Sequence, residues 1–384
     1  MSTTASPSFN AHMISHVFRV SLLLLGIWLL AGSLAPAPAS AQGPSLRSTQ
    51  RPVRVAIDPT YQYYETAEGR VLTQLSTRLS AYVPVRERLS VRAGVDYARM
   101  GGDNLTQVRG PTDVAGAVTY AQPVGEGSVV FQLRANAPTG KQKLTGSELE
   151  TTRFISQNFY DFRVSSYSRG FSVAPQVTWA VPITDKLAVG IGGGYQHQRG
   201  FQPNAELSSD SLYVPGDGIG VNGGFDYKVT DASALGLDVA FRRYGADKVD
   251  GVRQFEVGNR ITGTLRYLVR SGFTTVRAVV RYAQWDESRF GFRQGSPDQA
   301  QVLPPHGMAL ASYRTRLVDG IRLRLRASGH WYGDTVQEDR KTFGRAYVSP
   351  SFDLGDMLTV KPHGTVTYGD YLGLGGGVRI EGTF

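Results

Sequence analysis

The sequence has no cysteine among its 384 residues, which excludes a disulfide scaffold, thiolate metal sites, iron–sulfur clusters and cysteine nucleophiles. It also excludes a lipid-bearing cysteine at a processed N-terminus. Charge is scarce: Asp, Glu, Lys and Arg make up 19% of the chain, against roughly 25% in ordinary soluble domains. Mean hydropathy is −0.21, and a single stretch approaches the ~18 apolar residues of a membrane helix. These figures leave room for a transmembrane barrel, whose strands alternate apolar and polar residues and average out. No amphipathic helical period stands out after residue 53. Glycine, by contrast, is plentiful, with 45 residues.

The one apolar stretch has the form of an export signal. Val20–Leu34 follows Arg19, and no acid precedes Asp58. Ala39-Ser40-Ala41 then offers small residues for cleavage before Gln42, which completes the order of a secretory signal. Cleavage there removes residues 1–41 and lowers the net charge from +9 to +8. A retained anchor is the alternative, and Met13 is a start site as suitable as Met1. Residues 42–52 are expected to form a short periplasmic segment and 53–384 the barrel.

From residue 53 onward, apolar residues alternate with polar or small ones in runs of about 10–13, the length a tilted strand needs to cross a bilayer. In Ile321–Tyr332, the residues Ile321, Leu323, Leu325, Ala327, Gly329 and Trp331 share one face. Arg322, Arg324, Arg326, Ser328 and His330 share the other. Sixteen strands are predicted, at 53–64, 71–83, 89–99, 114–122, 128–137, 171–182, 187–196, 218–230, 234–244, 254–268, 273–285, 306–317, 321–332, 343–352, 357–368 and 371–384. Fourteen is the fallback, because 53–64 and 306–317 are weakly patterned. Tight turns alternate strictly with longer loops near 65–70, 100–113, 138–170, 197–217, 245–253, 286–305 and 333–342. Barrels of the outer membrane do this, with tight periplasmic turns and long outer loops. Tyr97, Tyr120, Trp179, Tyr195, Tyr227, Phe241, Tyr282, Trp331 and Tyr368 lie on the apolar parity, mostly at strand ends, as interfacial girdles require. An exported β-propeller also repeats at ~40–45 residues, but its blades have no reason to alternate link lengths. The predicted fold class is therefore all-β: a transmembrane antiparallel up-and-down β-barrel.

The chain ends Val378-Arg-Ile-Glu-Gly-Thr-Phe384, with Val378, Ile380 and Phe384 on one face. This resembles the C-terminal signal strand of Gram-negative outer-membrane proteins, which implies the barrel-assembly machinery as a partner. Gly382 departs from that pattern, since a bulky apolar residue is usual there.

For enzyme chemistry the mature chain offers His197, His306, His330 and His363, none in a nucleophile elbow or a helical zinc pair. A dispersed Ser/His/Asp site is the alternative to plain lumen or loop histidines. The expectation is no catalytic residue, no metal and no cofactor. Gly190–Gly194 and Gly373–Gly377 lie inside strand patterns with no helix after them, so they cannot present a helix N-terminus to phosphate. With the Ile380/Phe384 parity outward, the lumen face carries Arg92, Arg134, Lys228, Arg242, Arg260, Arg266, Arg277, Arg281, Arg322, Arg324, Arg326, Lys361 and Arg379. Inward acids are fewer: Asp96, Asp226, Asp238, Glu256 and Glu381. Arg260, Arg277 and Arg326 are expected at similar mid-strand depth. Pore-lining arginines, with Arg134 and Arg379 among them, favour anions because guanidinium stays charged at any working pH. The alternative is that they pair with the loop acids Glu148, Glu150 or Asp161 and merely fill the barrel. The 138–170 connection is expected to be a plain surface loop, with entry into the lumen as a constriction the alternative. Basic groups spread along alternating strands of an exported chain argue against nucleic acid as a partner.

Residues 113–248 carry several segments of one look: Asp113-Val114 through Tyr120, Ala137-Pro-Thr-Gly-Lys141, Leu187 to Tyr195, Pro215-Gly-Asp217 and Leu235 to Tyr244. Together they resemble the outer-membrane transporter family of aromatic meta-cleavage pathways, itself loosely similar to long-chain fatty-acid transporters. The resemblance covers about a third of the chain and implies uptake of small, hydrophobic molecules. Fatty-acid transporters carry an N-terminal hatch, for which residues 42–52 leave little material. The reading reached from sequence is an outer-membrane channel or uptake porin for small solutes, its lumen basic and anion-favouring. A gated transporter of small hydrophobic or aromatic molecules is the second reading, and an anchor or secretion component the third. Outer-membrane lipid, lipopolysaccharide and a small solute complete the expected partners.

Overall fold

A strand in lipid has no water to satisfy its backbone, so a sheet there must close on itself. The computed structural model describes residues 52–157, 160–206, 212–292, 298–336 and 338–384. The expected signal segment, with Ala39 and Ala41, lies outside the described residues. In chain order the strands are β1 (Arg54–Glu65), β2 (Val71–Arg86), β3 (Leu89–Gly102), β4 (Leu105–Pro111), β5 (Val114–Val124), β6 (Gly127–Ala137), β7 (Ser172–Pro182), β8 (Leu187–Gln198), β9 (Tyr213–Val214), β10 (Gly218–Thr230), β11 (Ser233–Tyr244), β12 (Ala246–Val249), β13 (Val252–Glu256), β14 (Arg260–Ser271), β15 (Thr274–Trp285), β16 (Ser288–Phe290), β17 (Asp298–Ala300), β18 (His306–Val318), β19 (Ile321–Tyr332), β20 (Lys341–Leu354), β21 (Leu358–Gly369) and β22 (Leu372–Thr383). Helix α1 (Gly146–Ile155) lies between β6 and β7.

Sixteen of these strands form a closed antiparallel barrel. Neighbours in sequence pair around the wall, and β1 pairs with β22 to shut it, from Arg54↔Thr383 to Glu65↔Leu372. Val53 and Phe384 exchange both backbone hydrogen bonds at 2.9 Å, so the seam is stitched to the last residue. The weakly patterned segments 53–64 and 306–317 are full strands, β1 and β18, which selects sixteen over fourteen. The wall's outer face carries Ile57, Leu79, Val118, Leu133, Ile191, Val221, Ile261, Val280 and Val366, all exposed as lipid-facing residues must be. Tyr97, Tyr120, Trp179, Tyr195, Tyr227, Phe241, Tyr282 and Tyr368 are exposed on the same parity. Val378, Ile380 and Phe384 are exposed there too. A Cβ at Gly382 would sit 3.0 Å from the Phe384 ring, so the terminal aromatic folds over the glycine that broke the expected pattern.

Three expectations need correction. The strand placed at 254–268 is β14, which starts at Arg260; residues 252–256 turn away into a second sheet, ordered β17-β16-β13-β12-β9, built from outer connections. Glu256 is therefore no lumen acid: it pairs with Arg289 of that sheet at 3.1 Å. The loop placed at 100–113 is largely strand, because β3 runs on to Gly102 and β4 returns along it from Leu105. The alternation of short and long connections also fails at the end, where Asp370–Tyr371 alone join β21 to β22.

The wall is tight where Tyr64 of β1 lies against β22. A Cβ on Gly373 would meet the Tyr64 ring at 2.3 Å, whereas one on Gly263 would meet nothing within 4 Å. Gly373→Val is expected to destabilise the barrel by about 1–3 kcal/mol through overpacking, and Gly263→Ala to leave it near wild type. Unfolding midpoints followed by heat-modifiable gel mobility check both.

Candidate functional site: the lumen

The third outer connection does not stay on the surface. Residues 160–167 run inside the barrel, against the inner faces of β1, β2 and β20, so the expected plain loop is corrected to a lumen segment. Two neighbouring wall glutamines, paired as Gln62↔Gln74, explain why. Gln74 donates from its amide to Val164 O at 2.7 Å and accepts from Val164 N at 2.9 Å. Gln62 does the same with Asp161 O and Arg163 N, at 3.0 and 2.8 Å. Arg163 then reaches Asp58, at 2.7 Å to its carbonyl and 3.0 Å to its carboxylate. Tyr167, buried, donates toward the carbonyls of Val108 and Ala98. At the loop's base Asp113 accepts from Gly140 N, Asn136 Nδ2 and Arg169 N, at 3.0, 2.7 and 2.8 Å. Gly140 passes so close that a Cβ would stand 2.3 Å from Tyr167 O.

The expected loop acids separate. Asp161 enters the lumen and bonds Arg345 of β20 at 2.5 Å. Among the described residues Glu148 pairs with no wall arginine; it closes a capping box with Thr145 at the start of α1 and pairs with Lys141. Burial works against its ionisation, but Lys141 and the Thr145 amide together hold its carboxyl below the ordinary value. Glu150 is exposed on the same helix.

The wall arginines fall into two groups. Arg322 pairs with Asp353 at 2.5 Å, and Arg379 with Glu381 at 3.1 Å. Arg266, bridging Asp226 and Asp238, and Arg78, forked onto Asp96, are likewise neutralised. Arg134, Arg260, Arg277, Arg281, Arg324 and Arg326, by contrast, have no carboxylate within 4.0 Å among the described residues. Arg134 bonds Gln132, Arg260 covers Trp285, and Arg326 covers Tyr347. Register runs Arg277↔Ser312↔Arg326, so those two arginines share one cross-strand row. Arg260 does not join them. It faces Trp285, eight residues further along β15, which is about 27 Å of strand. The common depth expected for the three fails because β14 begins at Arg260.

Other lumen residues were not singled out by sequence. Parity alone would have found Arg78 and Arg345, whereas Arg163 and Gln62 needed the path of the loop. A continuous aromatic cluster follows from the same fold. His306 stacks on Tyr332 at 4.1 Å and His330 on Phe343 at 4.8 Å. Phe343 then meets Tyr371 at 4.9 Å, and Tyr64, Tyr160 and Phe162 complete the patch. Two lumen cavities flank it. One, of about 700 Å³, lies between the loop segment and the wall, with Arg163, Arg326, His330 and Arg345 among its lining. The other, of about 620 Å³, is lined by Arg260, Arg277, Arg281 and His306 among others. Of the two remaining histidines, His363 lies 3.4 Å from Thr60 Oγ1 in the lumen, and His197 pairs with Asp217 at the outer end. On β8 and β10 the inner face is rich in glycine, at Gly190, Gly192, Gly194, Gly220 and Gly224, between polar residues such as Asn222 and Asp226.

Two outcomes follow. Gln74→Leu orphans the Val164 amide and carbonyl, each worth about 1–3 kcal/mol; hydrogen exchange at Val164 should accelerate at least about tenfold while wall strands keep their protection. Because the folded Glu148 carboxyl is held down, its support of α1 is complete above the ordinary carboxylate range and lost as pH falls through the folded value. The protection factor of the Leu149 amide, which bonds Thr145 O, should drop over that interval, and drop less in Glu148→Gln.

No protein family and no curated protein matches the sequence. Among solved structures, CdiB from Acinetobacter baumannii matches with a TM-score of 0.52 at 10% identity, over 90% of this chain and 64% of that one. An outer-membrane channel from Pseudomonas putida F1 matches at 0.37 and 10% identity, over 91% and 100%. The CymD monoaromatic hydrocarbon channel matches at 0.45 and 11%, over 88% and 89%. At such identities the likeness is one of fold. The chain has the fold of an outer-membrane β-barrel.

Proposed function

We propose that this barrel is an outer-membrane diffusion channel for small solutes and that it favours anions. The observation that carries the reading is the set of lumen arginines without a carboxylate partner: Arg134, Arg260, Arg277, Arg281, Arg324 and Arg326. A guanidinium stays charged at any working pH, and in a narrow aqueous space a surplus of one sign raises the local concentration of the other. The paired arginines, such as Arg322 and Arg379, add little to that surplus. Glycine on β8 and β10 leaves room beside the charged wall for a hydrated solute.

A gated transporter of aromatic molecules is the second reading. It draws support from the aromatic cluster and from the loop segment that occupies part of the lumen.

Planar-bilayer recording under a salt gradient tests the channel. The expected result is a steady current whose reversal potential reports anion preference. Replacing Arg277, Arg324 and Arg326 with Gln should move that potential toward zero. The preference should also fade as salt rises, since the Debye length shrinks from about 10 Å at 0.1 M to about 3 Å at 1 M. A folded protein that passes no current, yet lets labelled aromatic solutes into vesicles, would transfer the assignment to the second reading.

A further inference from the structure

The inner faces of β18 and β19 set arginine opposite arginine at two successive levels. Arg316 is the register partner of Arg322, and Arg314 is that of Arg324. Like charges directly opposite one another on a sheet face are destabilising, because their Cβ atoms stand only about 4.5–5.5 Å apart. At the first level, nearest the tight β18–β19 turn, the chain supplies a remedy. Arg316 pairs with Asp319 at 3.3 Å, and Arg322 pairs with Asp353. At the second level it supplies none: neither Arg314 nor Arg324 has a carboxylate within 4.0 Å among the described residues. The third level adds Arg277 and Arg326 on either side of Ser312, equally uncompensated.

Four cationic side chains thus share one patch of wall. Its two levels are two residues, or about 7 Å, apart along the strands, and β15 to β19 is two strand spacings, or about 10 Å. The other residues of these rows carry hydroxyl groups. Thr275 and Ser349 flank the Arg314↔Arg324 pair, Ser312 lies between Arg277 and Arg326, and Tyr347 ends the third level. From β15 to β20 neither row contains an acid. Arg277 and Arg314 are exposed to the lumen. Arg277 lines the 620 Å³ cavity and Arg326 the 700 Å³ cavity, so the patch borders open space on both sides. A monovalent anion answers one guanidinium and leaves the rest in mutual repulsion. A compact anion with several charges answers them together, and phosphoryl oxygens suit both the forked guanidinium and the hydroxyl donor.

We propose that this patch binds a compact anion bearing two phosphoryl groups. Arg314 and Arg324 hold one group, Arg277 and Arg326 the other, and the Ser312 hydroxyl donates between them. The proposal rests on the anion-channel reading and deepens it by naming a station on the wall and the class of solute held there.

Titration calorimetry on the refolded protein in detergent micelles tests it, with inorganic pyrophosphate as the probe. The expected result is saturable pyrophosphate binding, with orthophosphate about tenfold weaker or more. ADP distinguishes a free diphosphate from an esterified one: weaker binding than pyrophosphate assigns the site to the free anion, and equal or tighter binding assigns it to the ester. Arg314→Gln and Arg324→Gln should each weaken pyrophosphate about tenfold or more. Arg316→Gln, which removes the same charge one level away where Asp319 already answers it, should change binding by less than about twofold. Because each second-level variant relieves a like-charge pair, the unfolding midpoint of the ligand-free protein should not fall. Pyrophosphate should raise that midpoint in the wild type and raise it less in either variant. If one second-level variant fails to fold, as judged by gel mobility, the other still decides. Equal weakening by Arg314→Gln and Arg316→Gln would overturn the proposal, since the lumen would then be responding to total charge. So would equal binding of pyrophosphate and orthophosphate, or no saturable binding by folded protein. Bilayer current from the same preparations separates the two readings. Silence with binding intact removes the channel, and an anion-favouring current without binding removes this site.

Discussion

Backbone pairing in a medium without water is the constraint on which everything else here depends. Each unsatisfied peptide group in hydrocarbon costs several kcal/mol, so the first and last strands must meet. They do, from Arg54↔Thr383 to Glu65↔Leu372, with Val53 and Phe384 finishing the seam. Closure fixes the register of every strand, and register fixes which residue of each alternating pair faces the lumen. The arginine row Arg277↔Ser312↔Arg326 and the aromatic row Ala283↔His306↔Tyr332 are therefore consequences of pairing as much as of residue choice. A shift of one residue in any strand would exchange its lipid and lumen faces.

Inside the closed wall the contents are uneven. One arc, β14 to β20, carries arginine and aromatic rings; β8 and β10 carry glycine at about half of their inward positions. The loop segment 160–167 lies against β1, β2 and β20, where Asp161 and Arg163 neutralise Arg345 and Asp58. The loop's own ion pairs are formed with Arg345 and Asp58, while Arg260, Arg277 and Arg281 line the 620 Å³ cavity without a carboxylate partner among the described residues. The loop segment thus braces one part of the lumen, and the cavity lined by Arg260, Arg277 and Arg281 keeps charge available to solute.

Alternation made most of the fold legible in the sequence. In Ile321–Tyr332 the apolar and arginine faces are the observed outer and inner faces, and the terminal Phe384 lies on the outward parity. What alternation cannot supply is depth along the barrel, which depends on where a strand begins. The segment 254–268 alternates well enough to hide the break at residues 257–259, and so Arg260 was placed at the wrong level and Glu256 on the wrong sheet. The path of the loop was equally hidden, because its anchors are wall glutamines that look like any other polar lumen residues. Gln62 and Gln74 acquire meaning only when Asp161 and Val164 are set beside them. Likewise His306 and His330, two unremarkable histidines in sequence, become parts of a stack through register alone.

Gln62 and Gln74 hold the loop by its peptide groups at residues 161, 163 and 164, leaving its side chains out of the bond. A clamp of that kind is indifferent to spelling: the clamped residues can be exchanged while their amides and carbonyls stay where they are. The wall therefore acts as a fixed mount and the loop as a replaceable insert. Descendants of this barrel could alter what the lumen admits by drift within a few loop positions, with no need to rebuild the strands that carry the mount.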